Sequence, residues 1–93
     1  MAPEPHSTAP VVVYATSWCP YCHRVRALLD RKGVAYTLVD IDSVPGAREE
    51  MQQRSGRTSV PQVFVGERHL GGCDDTHALD AKGELDPILQ RNP

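Results

Sequence analysis

The sequence predicts an α/β domain in which one mixed four-stranded sheet is flanked by helices, and three observations carry that expectation. The run Val11–Ala15 is β-branched and aromatic and apolar throughout, as in a central strand covered on both faces. A helical pattern with Val25, Leu28 and Leu29 on one side separates it from a second strand, and such a unit is a right-handed crossover between parallel strands. Two later runs flank Gly66-Glu67, the signature of an antiparallel hairpin with a tight turn.

The elements follow in order. Residues 1–10 hold Pro3, Pro5 and Pro10 among Ala, Ser and Thr and are expected to form a disordered tail, with 11–93 as a single domain. After the loop Thr16 to Trp18, Pro20 has the fixed backbone angle favoured at a first helical position, and Lys32-Gly33 ends that helix. Tyr36 to Ile41 reads as the second strand. Pro45 to about Ser55 reads as a short amphipathic helix with Ala47 and Met51 on one face, stopped by Gly56. Pro61 opens the strand Gln62 to Val65, and Arg68 to Leu70 pairs with it. Gly71-Gly72 breaks the chain before Asp74, a good cap for a helix through Leu79 to Lys82, and Leu85, Ile88 and Leu89 suggest a last helical turn or two.

Composition narrows the function. Ten Lys and Arg against twelve Asp and Glu give a net charge of −2, no electrostatic basis for gripping a nucleic-acid backbone or an anionic membrane. No stretch approaches a membrane span, and Met1 to Pro10 lacks a basic start and an apolar run, so a cytoplasmic protein without a secretion signal is expected. Three cysteines are too few and of the wrong parity for a disulfide scaffold.

Two of them, Cys19 and Cys22, bracket Pro20-Tyr21. With Pro20 at the first helical position, Cys19 sits at the cap beside unpaired amides and the positive end of the helix dipole, where a thiolate is favoured. Cys22 lies one turn in and is expected to be more protected and to act second. A disulfide between them closes a four-residue loop worth about 2 kcal/mol, against about 3 for fifteen residues. That is a weak staple and an easily cycled bond, suited to redox exchange.

Two rivals use the same residues. Cys19-Pro20-Tyr21-Cys22-His23 has the spacing of covalent haem attachment, with His23 and Met51 as axial ligands, but the absent export signal and the buried strand feeding the helix argue against it. A metal site would need Cys73, His69 or His77 as further ligands, and the spacing offers no second close pair, so no metal is expected. Taken singly, His6 falls in the tail, His23, His69 and His77 read as exposed or edge residues, and Met51 reads as core.

Cys19-Pro20-Tyr21-Cys22 after a strand, Val60-Pro61 before another, and Gly71-Gly72-Cys73-Asp74-Asp75 before a late helix together resemble a dithiol glutaredoxin. The runs Arg54 to Gln62 and Ala78 to Pro87 are especially similar to the bacterial glutaredoxin-three type, and the similarity spans about Val11 to Leu89. The resemblance implies a thioredoxin-like fold and glutathione-dependent reduction of protein disulfides and glutathionylated proteins by a monomer. It implies no permanently bound cofactor, glutathione serving as reducing co-substrate. In that family the proline matching Pro61 is cis, which turns the backbone of Val60 toward the cysteine of glutathione like an added strand. The amides of Cys73 and Asp74 after Gly72 would take the γ-glutamyl carboxylate, the Asp74 carboxylate its ammonium, and Arg57 the glycine carboxylate. Tyr21 would pack along the groove, and Ser59 stands where threonine is commoner. Asp74 and Asp75 also read as plain acids in a first helical turn.

The chain departs from the family at Thr16, where a lysine is common three residues before the first cysteine, and at Trp18, which is closer to thioredoxins and some mycothiol-linked relatives. A redoxin using another small thiol such as mycothiol is therefore one alternative. From another class comes an iron–sulfur carrier, with two protomers sharing a cluster through Cys19 and glutathione, although Pro20 stiffens the helix start where a cluster needs room. Cys73 is expected as a small buried residue, a spare thiol open to glutathionylation being the other reading.

Overall fold

A computed structural model describes residues 10–89. The tail expected over 1–10 falls outside this range except for Pro10, whose carbonyl accepts a hydrogen bond from the Gly66 amide at 2.8 Å and so belongs to the folded body. The elements run β1 (Val11–Ala15), α1 (Pro20–Arg31), β2 (Thr37–Asp40), α2 (Ala47–Ser55), β3 (Gln62–Val65), β4 (Arg68–Gly71), α3 (Cys73–Ala81) and α4 (Leu85–Leu89). The sheet order is β2-β1-β3-β4, with β1 parallel to β2 and antiparallel to β3, and β3 antiparallel to β4. This is the expected four-stranded mixed sheet of a thioredoxin-like fold.

The pleat of β1 divides the core. Val11, Val13 and Ala15 point to one face and pack with Val25, Leu28 and Leu29 of α1 and with Leu85 and Leu89 of α4. Tyr14 points to the other face and packs with Phe64, Ile41, Ala47 and Met51, the last two from α2. Arg54 on α2 lies 4.1 Å from the Phe64 ring centre and donates to the Tyr14 hydroxyl at 2.9 Å, while that hydroxyl donates to Glu50. The polar edge of α2 is thereby fastened to the sheet. With both faces covered, the C-terminal end of β1 delivers the chain straight into α1, and that junction carries the cysteine pair.

Several boundaries differ from the expectation. Helix α2 begins at Ala47 after a left-handed Gly46, two residues later than Pro45, because the chain must first turn out of the sheet. Strand β2 is shorter at both ends, and β4 reaches Gly71 after a register shift that leaves Leu70 between the pairs Val63–Gly71 and Phe64–His69. Helix α3 is capped by Gly72 rather than Asp74. The side chain that accepts from the Gly72 amide, at 3.0 Å, is Asp75, three residues on, so Asp74 is already helical. Gly71 has φ +107°, and a Cβ there would fall 2.7 Å from the Asp75 Cβ, so only glycine fits.

Candidate active site

Cys19 is the N-cap of α1, with extended backbone (φ −87°, ψ 119°) and Pro20 behind it. No side chain caps this helix, so its first amides and positive dipole end lie open beside the Cys19 sulfur. That sulfur is 3.9 Å from the Val60 carbonyl, to which the thiol donates. Cys22 is 1% exposed, and all three cysteines are thiols. Burial pushes the Cys22 thiol up to about 11; the neighbouring Cys19 adds to the rise, and the Thr16 amide and hydroxyl oppose it. Both sulfurs are largely covered, Cys19 at 5% exposure, but they differ in place: one caps the helix start, the other is enclosed a turn further along.

Beside Cys19 lies an open cavity of about 220 Å³. One wall is the strand-entry segment, with Arg57, Ser59, Val60 and Pro61, and the Val60–Pro61 bond is cis. The opposite wall is the start of α3, with Gly72, Cys73, Asp74 and Asp75, and Tyr21 from α1 closes a third side. All eight residues that the sequence resemblance assigns to ligand binding thus meet around one space; Cys19 does not line it, but its sulfur reaches that wall at the Val60 carbonyl. Burial pushes the Cys73 thiol up, with Asp74 adding and Arg24 opposing. Arg24 also lies 5.8 Å from the Tyr21 ring centre, holding that half-exposed aromatic beside the groove.

By sequence Asp75 is only a first-turn acid; in the fold it is the hinge between the two walls. Its carboxylate accepts from Arg57 Nη1 at 2.8 Å and from the Gly72 amide, and both hold it below the usual carboxylate range. The clue in the sequence was its place three residues after a glycine cap, which becomes legible only once the cap is known. Arg57 spends part of its guanidinium on this pair and keeps further N–H donors toward the cavity.

The histidines serve elsewhere. His23 Nε2 donates to the Ser17 carbonyl at 2.8 Å, tying α1 to the preceding loop. His69 stacks on Phe64 and bonds Gln62 Oε1 at 2.7 Å, and burial lowers its pKa. Among the described residues no three His, Cys, Asp or Glu side chains converge as metal ligands would, and no helix is long and apolar enough to cross a membrane.

Comparisons with known proteins meet this geometry. Residues 11–70 match the glutaredoxin family model. The chain is 55% identical over 82 residues to glutaredoxin 3 of Escherichia coli, covering 88% of this chain and 99% of that one. Among solved structures, it is similar to a glutaredoxin from Brucella melitensis, with TM-score 0.80 and 48% identity over 92% of this chain and 94% of that one. A buckwheat glutaredoxin–glutathione complex superposes with TM-score 0.81 at 34% identity, over 87% of this chain and 76% of the other.

Proposed function

Because the chain belongs to the glutaredoxin family, and is accordingly a thiol oxidoreductase dependent on glutathione, we propose that it reduces glutathionylated proteins and protein disulfides in the cytoplasm through Cys19 and Cys22. The observation that carries this reading is the pairing of a thiol at the uncapped start of a helix, 5% exposed, with one a turn deeper at 1%, beside a cavity that bears both signs of charge.

Glutathione fits that cavity by its own chemistry. Its γ-glutamyl end is a zwitterion: the α-carboxylate suits the free amides at Cys73 and Asp74, and the ammonium suits the Asp74 carboxylate. The glycine carboxylate suits Arg57, and the peptide backbone suits Val60, whose carbonyl faces the Cys19 sulfur. Tyr21 covers the apolar length between.

The Cys19 thiolate attacks the glutathione sulfur of a glutathionylated protein. A Cys19–glutathione disulfide forms, the protein–glutathione bond breaks, and the protein leaves as a thiolate that takes a proton. A second glutathione thiolate then attacks the glutathione sulfur and releases Cys19 with glutathione disulfide. With a protein disulfide, Cys19 instead becomes joined to the substrate chain. Cys22 attacks the Cys19 sulfur, expels the substrate thiolate and leaves a Cys19–Cys22 disulfide for two glutathiones to reduce.

A coupled assay tests this. NADPH oxidation is followed with glutathione, glutathione reductase and a glutathionylated peptide, and turnover dependent on the protein is expected. Turnover only with mycothiol and its reductase, or only with thioredoxin reductase, would contradict the glutathione assignment.

A further inference from the structure

Resting on the reading of Cys22 as the resolving thiol, we infer that Thr16 is a positioning residue for the second step: its buried hydroxyl donates to the Cys22 sulfur when that sulfur is a thiolate. Thr16 is 4% exposed, and its Oγ1 is enclosed with no hydrogen-bond partner among the described residues. A buried hydroxyl without a partner is costly and uncommon. Thr16 lies close enough to Cys22 that its amide and its hydroxyl both favour the thiolate, against the larger effect of burial. A thiol is a weak acceptor and does not hold the hydroxyl, whereas a thiolate is a strong one. The donor is thus idle in the dithiol state and engaged only when the resolving nucleophile forms.

The surroundings of Cys22 leave this task to Thr16. Cys19 is its thiol neighbour, and once Cys19 is locked in a mixed disulfide it offers no charge and no proton. Arg26, one turn further along α1, is the cation facing Cys22, but its Nε donates to the Tyr36 hydroxyl at 3.3 Å. Asp40 of β2 lines the small cavity that Thr16 shares with Arg26. From α3, Cys73 faces Cys19. Thr16 alone supplies both an amide and a hydroxyl to the enclosed sulfur.

Single-turnover release isolates the step. The full chain is loaded with glutathione on Cys19, and glutathione release by Cys22 is followed against pH, in the native protein, Thr16→Val and Thr16→Ser. One bond forms, Cys19–Cys22; one breaks, Cys19–glutathione; the departing thiolate takes a proton. The Thr16→Val profile is expected to move alkaline by about one pH unit. A more basic thiolate is also a better nucleophile, so the net slowing near neutral pH is about threefold to fourfold. Thr16→Ser, which keeps the hydroxyl, restores the native profile. A Thr16→Val profile superimposed on the native one, or Thr16→Ser behaving like Thr16→Val, overturns the role of Thr16 and leaves Cys22 as resolving thiol intact. Absence of release from native protein at every pH overturns both.

Discussion

Burial and reactivity pull in opposite directions at Cys22, and Thr16 stands at the point of conflict. Enclosure shields the resolving thiol from solvent oxidants, yet it raises the pKa of a group that has to ionise before it attacks. Replacing Thr16 by valine removes an unpaired buried hydroxyl at nearly constant volume, so the variant is expected to gain about 1 kcal/mol in denaturant unfolding while resolving more slowly. Loss of stability together with slower resolution would instead mark Thr16 as an ordinary packing residue. Asp74 belongs to the same scale: it is exposed on the cavity wall and its side chain takes part in no hydrogen bond among the described residues, so its carboxylate is available to a ligand. Asp74→Ala is expected to raise KM for a glutathionylated peptide by about threefold to tenfold, the loss of one charge-assisted contact, with kcat little changed. An unchanged KM would return Asp74 to a plain place in the first helical turn.

Among the elements, α3 shows how a helix start becomes a wall of the site. Asp75 fastens the Gly72 amide and Arg57 together, and both partners lower its pKa relative to the unfolded chain. A carboxylate depressed in the folded state contributes stability that is present above its unfolded value near 4 and is lost as pH falls through the lower folded value. Asp75→Asn is therefore expected to flatten the acid limb of the unfolding curve below about pH 4, and Asp75→Ala to cost about 1 kcal/mol at neutral pH as a lost cap. An acid limb unchanged in Asp75→Asn would contradict the coupling. The same helix marks where sequence reading stops. The unbroken apolar run of β1 and the period of Val25, Leu28 and Leu29 were legible because burial writes its pattern into the residues themselves, and the hairpin because Gly66 marks its turn. The cap at Gly72 was not: Asp74 is the better capping residue by type, and the choice between them rests on the turn at Gly71, where the backbone swings to positive φ against Asp75. The Arg57–Asp75 pair, eighteen residues apart, and the burial of the unpartnered Thr16 hydroxyl are products of tertiary packing that no local pattern encodes.

For the whole molecule, the sheet separates stability from chemistry. Met51, fully buried against Tyr14 and Phe64 on the face that α2 covers, is remote from the cysteine pair on the α1 face. Met51→Ala is expected to cost about 2–5 kcal/mol in unfolding while the remaining folded fraction keeps its specific activity; a fall in activity per folded molecule would show that the two faces are coupled. The architecture also fixes the division of labour, because β1 feeds one cysteine to the open end of α1 and the next turn of the helix draws the other inside. The most direct measurement is the pair of activities of Cys22→Ser, assayed on a glutathionylated peptide and on a protein disulfide such as that of insulin. The first needs only Cys19 and a second glutathione, so it is expected to persist. The second leaves Cys19 in a bulky mixed disulfide that only a thiol held at high effective concentration breaks quickly, so it is expected to fall at least tenfold. Equal loss of both activities, or retention of both, would contradict Cys19 as the attacking thiol and Cys22 as the one that resolves it.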